Sequence, residues 1–300
     1  MAHEGLTIEK RDDGVAILWM DLPGETMNTL KSDFIETFTA VFDQVEKDPD
    51  VKAVVFASGK KDSFIAGADI TMLESIETAE DGEKAGREGN EVMNRIASFP
   101  KPVVAAIHGV ALGGGLETAL ACHARVASDS KKTKLGLPES QLGLLPGAGG
   151  TQRLPRQVGV QPALDMMLTG KQIAAKKALK MGLVDDVVPP SILIETAAGL
   201  ALSRVGRKPK SESFIDQLRD KDAVAELALT KNPVGRKVLF DQARKQLHKQ
   251  TRGNYPAQDL IIDVVRAGLE GGFEAGLAAE ARAFGLLLTS PEAANLMSIF

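Results

Sequence analysis

Cys122 is the only cysteine in 300 residues. A single thiol excludes an internal disulfide framework and any metal site built from several thiolates, and it suits a reducing compartment. The first fourteen residues carry neither a basic stretch followed by an apolar one nor an Arg- and Ser-rich amphipathic segment, so the expected location is cytoplasmic. No run reaches the roughly 18 to 20 apolar residues of a membrane span; the longest candidate, residues 102–112, is broken by His108 and runs into glycines. Positive charge is not in excess either. The formal net charge is -4, which speaks against a nucleic-acid binder relying on bulk charge. His3, His108, His123 and His248 show no metal-ligand spacing, and no metal is expected. Repeats of about 20 to 50 residues and low-complexity tracts are missing as well.

What is present is an ordinary globular composition, 44% hydrophobic and 25% charged. At roughly 100 to 200 residues per domain, the length allows one large domain or two modest ones. Residues 15–22 and 51–57 are short β-branched or apolar runs that stop at glycine or proline, as strands do. Between them Leu30, Phe34, Phe38, Val41, Phe42 and Val45 recur at three- and four-residue steps and predict an amphipathic helix, with Asn28 or Thr29 available to cap it. Strand, helix and strand make a βαβ unit in a mostly parallel sheet. The pattern continues with a helix over 85–99, a buried strand over 102–107, a helix over 116–123 opened by three glycines, and a short strand over 125–127. After Pro189 helical periodicity takes over, notably over 259–269 and 275–288. The expected fold class is α/β, with a core over residues 1–190 and a helical region over 191–300.

Charge is unevenly spread. Residues 204–252 hold 13 Lys/Arg against 6 acids, a local +7 that leaves -11 for the remainder. This basic run is either a solvated helical face or a surface for acidic phosphates, lipid headgroups or a partner subunit. Residues 205–211 are the best linker candidate.

Four glycine-bearing segments could carry chemistry: residues 64–70, 108–117, 135–144 and 146–154. In an open α/β sheet, loops leaving strands toward helices bind ligands, because free amides and the positive helix end face one crevice. Gly109, Gly113 and Gly114 do not form G-x-G-x-x-G, and no phosphate-binding Lys follows. Nor does a nucleophilic Ser or Cys stand in a G-x-S-x-G turn, so covalent acyl-enzyme chemistry is not expected. Three glycines before a helix offer bare backbone where an acyl oxygen can reach amide donors and the helix N-terminus together. Alternatively, they only let helix and strand pack closely. Glu117, in the first turn of that helix, could simply stabilise its dipole by about 0.3 to 1 kcal/mol, and Glu139, after Pro138, could be a surface acid. Together, two carboxylates converging on an apolar crevice make an acid and base pair able to place both parts of a water on a substrate. His108 reads as a packed structural residue and Cys122 as core. Met166, Met167 and Met181 read as core or as the lining of an acyl tunnel.

Ala66-Gly-Ala-Asp69, His108-Gly-x-Ala-x-Gly-Gly-Gly-x-Glu117, Pro138-Glu139 and Leu145-Pro-Gly-Ala-Gly-Gly-Thr-Gln-Arg153, in this order, resemble the crotonase (enoyl-CoA hydratase/isomerase) family. The likeness covers essentially the whole chain. Gly150-Thr-Gln-Arg-Leu-Pro155, Met167-Leu-Thr-Gly-Lys171, Gly182-Leu-Val-Asp-Asp-Val-Val188 and the basic stretch carrying Asn254-Tyr-Pro-Ala257 bring it nearest to the hydratase part of the multifunctional fatty-acid oxidation α subunits. The resemblance implies a spiral of ββα turns followed by helices, binding an acyl-CoA thioester. The amides of Ala68 and Gly114 would hold the thioester oxygen, Glu117 and Glu139 would be the catalytic carboxylates facing one pocket, and the amide of Gly147 would help place the water. Phe64, Ile65 and Ala66 would line the adenine groove of CoA through their backbone, with Asp69 an orienting group. No cofactor is implied beyond the CoA of the substrate, and no NAD site.

Relatives that only shift a double bond keep the equivalent of Glu139 alone; the presence of both acids implies hydration, with Δ3-to-Δ2 isomerisation as a side activity. Multifunctional α subunits continue into a nicotinamide-dependent dehydrogenase and pair with a thiolase β subunit. This chain stops at Phe300 without a dinucleotide fingerprint, so it reads as a truncation lacking dehydrogenase activity. A homo-oligomer is also compatible. Two other functions stay open: a different crotonase-type reaction, such as isomerisation or thioester hydrolysis, or a non-catalytic module docking a thiolase subunit or membrane through its basic helical region.

Overall fold

Val, Ile and Ala fill the strands Val15–Met20 (β2), Ala53–Ser58 (β3), Val103–Ile107 (β5) and Ala124–Ser128 (β7), and their side chains are buried with almost no alternation. Such continuous burial is what a parallel sheet covered on both faces requires. A computed structural model describes residues 5–207, 230 and 232–299. The chain divides into two units, the first comprising the described residues up to Ser75, Glu88–Leu137 and Gln172–Arg207, and the second Ile76–Arg87, Pro138–Lys171 and the described residues beyond 207.

In the first unit, β2, β3, β5 and β7 form a six-stranded sheet with Leu6–Lys10 (β1) and Asp186–Val188 (β10), in the order β1-β2-β3-β5-β7-β10. Only β1 runs antiparallel to its neighbour. A second sheet, β4-β6-β8-β9, is made of Ser63–Ile65, Val110–Leu112, Lys134–Gly136 and Ile173–Ala174. The chain repeatedly lays one strand in the first sheet and the next in the second before entering a helix. β3 and β4 precede Ile70–Glu74 (α2) and Ala79–Ala97 (α3), and β5 and β6 precede Gly114–Ala121 (α4). This is the repeated ββα turn that the resemblance implies.

On one face of the larger sheet, Val15, Ile17, Val55, Val104 and Val126 pack against Leu193, Ala197, Ala198 and Ala201 of helix Leu193–Ser203 (α8). Phe38 and Phe42 of helix Phe34–Lys47 (α1) are fully buried, and the Phe42 ring meets Phe99 edge-on at 4.9 Å. Burying each such side chain contributes about 1.5 to 3 kcal/mol. The predicted start of α1 is corrected here: the helix begins at Phe34 after Asp33, while Leu30 forms a parallel bridge with Ala68 and Asn28 is buried elsewhere. Periodicity could not separate Leu30 from the helix because its side chain is apolar in either setting.

The second unit is built from a 3-10 turn at Glu139–Leu142 and the helices Gly150–Val158 (α5), Val160–Thr169 (α6), Pro233–Thr251 (α9), Pro256–Gly271 (α10), Phe273–Leu288 (α11) and Pro291–Met297 (α12); helix Ala175–Lys180 (α7) belongs to the first. Met166 and Met167 are buried. Of the basic run, residues 208–229 and 231 lie outside the described residues, as does most of the linker candidate 205–211. Arg244 of α9 pairs with Asp259 and Asp263 of α10, at 3.1 and 2.6 Å. Among the described residues no helix is long and apolar enough to cross a membrane.

Cys122 ends α4 and is buried, and loss of water pushes its thiol up to about 12. The native protein should therefore resist Ellman's reagent at pH 8 and react with one equivalent only after denaturation. Rapid labelling of the native state would contradict this placement.

Candidate active site

The local chemistry of residues 64–69 is set by an asparagine. Asn28, fully buried, donates through Nδ2 to the carbonyls of Met20 (2.7 Å) and Phe64 (3.2 Å) and to Ser58 Oγ (2.9 Å), and its Oδ1 accepts from the Leu22 amide (3.0 Å). One side chain thus ties the ends of β2, β3 and β4 together. The backbone continues the tie: Ala66 N donates to Asn28 O (2.8 Å), Leu30 N to Gly67 O (2.8 Å) and Asp69 N to Leu30 O (2.9 Å). Because Leu30 takes the carbonyl before Ala68 and the amide after it, the N–H of Ala68 itself points from the opposite edge.

Facing that edge is the start of α4. Gly113, at φ 53°, lets the chain leave β6 and turn into the helix, and its amide donates to Gly136 O at 3.0 Å. A Cβ on Gly115 would stand 2.2 Å from the Ile65 carbonyl, a distance no side chain survives, so glycine lets α4 sit directly on β4. A Cβ on Gly114 would lie 3.8 Å from Ala68 N, which places those two residues side by side. The Gly114 amide belongs to the first turn of α4, where N–H groups have no acceptor within the helix. Two adjacent donors, one at a positive helix end, can hold an oxygen that gains negative charge.

Glu117 follows in that same first turn and is buried, with its amide bonded to Gly113 O at 3.0 Å. The other end of α4 is fixed by buried Arg125, which donates to the carbonyls of Ala119 (3.2 Å), Cys122 (2.9 Å) and Leu183 (2.9 Å). Asp69 caps α2, its carboxylate accepting from the amides of Thr71 (2.9 Å) and Met72 (3.4 Å). Phe64 and Ile65 have fully buried side chains, leaving their backbone as the part able to meet a ligand, and Ala66 is half-buried. His108 is held by Ser128 Oγ at 2.8 Å, as the structural reading expects.

Glu139 and Gly147 belong to the second unit. Pro138 leads into the 3-10 turn that carries Glu139, and Gly143, at φ 73°, closes it. Ser140 anchors the turn by donating to Met167 O of α6 at 2.7 Å, and Gly143 backs onto Ala293 of α12. Glu139 is half-buried rather than the exposed surface acid it could have been. The structure therefore brings Ala68, Gly114 and Glu117 together in one unit and places Glu139 and Gly147 on turns of the other. Among the described residues no group of three or more His, Cys, Asp or Glu could hold a metal ion.

Residues 10–255 match the family described as enoyl-CoA hydratase/isomerase. The chain belongs to that family. A solved enoyl-CoA hydratase of Geobacillus kaustophilus is 31% identical with a TM-score of 0.64, covering 91% of this chain and 95% of its own. One from Bacillus anthracis is 30% identical with a TM-score of 0.62, over 82% of this chain and 90% of that one. The fatty acid oxidation complex subunit alpha of Shewanella amazonensis is 55% identical over 295 residues, which are 98% of this chain and 40% of that protein. The chain thus spans about two fifths of the length of such curated relatives. Its fold is the crotonase fold of this enoyl-CoA hydratase/isomerase family, with helices following the spiral.

Sequence reasoning missed the structural weight of Asn28 and Arg125. Asn28 looked like a helix cap, and Arg125 like one residue of a short strand. Nothing local marks either as buried, because their partners lie on other elements. Gly115→Ala should cost about 1 to 3 kcal/mol of stability, the usual scale of overpacking, and should lower kcat of any reaction that uses the Gly114 amide. Chemical denaturation together with steady-state kinetics checks both effects.

Proposed function

We propose that this chain adds water to trans-2-enoyl-CoA thioesters to give 3-hydroxyacyl-CoA in fatty-acid β-oxidation, with Δ3-to-Δ2 enoyl-CoA isomerisation as a side activity. The observation that carries the reading is the Ala68 amide lying beside Gly114 at the head of the helix that buries Glu117. Membership of the family and the likeness to two solved hydratases support it.

The mechanism follows from where charge develops. The oxygen of water bonds to C3, the C2–C3 double bond yields its electron pair toward the thioester carbonyl, and the resulting enolate oxygen carries the negative charge. The Ala68 and Gly114 amides stabilise that oxygen, each such donor being worth about 2.7 to 4 kcal/mol in the transition state. Collapse of the enolate takes a proton at C2. Glu117 and Glu139 divide the work of deprotonating the water and supplying the C2 proton, and the Gly147 amide holds the water. The backbone of Phe64, Ile65 and Ala66 borders the adenine end of CoA, and Asp69 orients that loop by capping α2. Isomerisation requires only that one carboxylate, Glu139, move a proton between C2 and C4.

The curated relatives are named as subunits of a complex, and we extend the reading to assembly with a thiolase subunit. The single buried thiol suits work in the cytoplasm. No cofactor beyond the substrate's own CoA enters the scheme.

With crotonyl-CoA the protein should consume the conjugated enoyl absorbance and yield 3-hydroxybutyryl-CoA. Glu117→Gln and Glu139→Gln should each lower kcat about 100- to 10,000-fold, the range for a positioned proton-transfer group. On a trans-3-enoyl-CoA, Glu139→Gln should abolish isomerisation while Glu117→Gln retains it. Hydration by Glu117→Gln at the parent rate would remove Glu117 from the mechanism. Thiolase capture without turnover of any enoyl-CoA would favour the assembly module.

A further inference from the structure

Glu280 lies in the middle of α11 and has no exposed surface. Burying a carboxylate is costly unless donors replace its lost water. Here three donors come from one place, the start of α5: the amides of Gly149 (2.6 Å) and Thr151 (3.1 Å) and the Thr151 hydroxyl. These amides belong to a helix N-terminus, where no intrahelical acceptor exists and the dipole favours an anion. One turn further along the same face of α11, the Phe284 ring lies against Gly147, where a Cβ would approach it to 2.7 Å. Residues 280 and 284 therefore grip the 147–151 loop at both ends. The Gly147 amide donates to no backbone carbonyl among the described residues.

We propose that Glu280 is a positioning residue for hydration: by holding the Gly149 and Thr151 amides, it sets the direction of the Gly147 amide and so the place of the attacking water. The proposal rests on the hydratase reading given above. The action of Glu280 depends on charge as well as shape. An ionised acceptor makes hydrogen bonds about twice as strong as a neutral one, and an amide in its place must turn one NH2 toward N–H donors.

Glu280→Gln, Glu280→Asp and Thr151→Val, compared with the parent on crotonyl-CoA, separate positioning from simple stability. Per folded enzyme, Glu280→Gln should lose about 10- to 100-fold in kcat, the scale of a reacting group displaced by about 1 Å, with little change in KM. Glu280→Asp, which keeps the charge, should retain more of kcat than Glu280→Gln. Thr151→Val, which removes only the hydroxyl donor, should show a smaller loss of kcat at unchanged KM, and it provides the readout if both Glu280 variants fail to fold. If the folded variants keep the parent kcat and only melt at lower temperature, Glu280 is purely structural and the inference falls while the hydratase reading stands. A parent that does not turn over crotonyl-CoA would overturn that reading and this inference with it.

Discussion

Backbone meets backbone where the first turn of α4 rests on the carbonyl of Ile65, and the first unit is arranged around that approach. Without a side chain at Gly115 the helix start comes close enough for Gly114 to sit beside Ala68. The same approach carries Glu117, in that first turn, into the interior. Both ends of the contact are secured from a distance, by Asn28 beneath the 64–69 segment and by Arg125 at the far end of the helix. Each of these two residues binds backbone atoms of more than one segment, tying the 64–69 loop and α4 to their neighbours.

Magnitudes separate the two readings of a glutamate near a helix N-terminus. Stabilising a dipole contributes about 0.3 to 1 kcal/mol at an exposed position, whereas burying a carboxylate without partners costs several kcal/mol. A residue serving only the dipole would stay in water. Glu117 and Glu280 are both buried, Glu117 in the first turn of α4 and Glu280 against the start of α5. Glu280 accepts from donors of the 149–151 turn, the amides of Gly149 and Thr151 and the Thr151 hydroxyl. Glu117 stands three residues from an amide pair suited to an anionic oxygen.

Much of this was legible in the linear chain. The strands β2, β3, β5 and β7, the mostly parallel sheet, the helix opened by Gly113–Gly115 and the helices α10 and α11 all follow from short-range pattern, because burial on a sheet or helix face imposes its period on the residues. Cys122 and His108 are structural, as their apolar neighbourhoods suggested. The glycine triplet allowed two readings, close packing or exposed amides; Gly115 makes the close contact with Ile65, and Gly114 stands beside Ala68. The short strands β4, β6, β8 and β9 were not legible, since two or three residues leave no period to detect. Leu30 was assigned to a helix for the opposite reason, its apolar character fitting a period that ends before it is reached.

The order of residues along the chain therefore determined the family, the types of group available and the local turns that present them, because capping, glycine conformations and amphipathic periods act over a few residues. Which groups meet was decided only in three dimensions. Ala68 reaches Gly114 through the bridge to Leu30 and the packing of α4 on β4, and Glu280 reaches Gly149 across 131 residues. Such contacts are selected by burial and by satisfying backbone donors that folding takes out of water, and those demands exist only once the distant segments are already side by side.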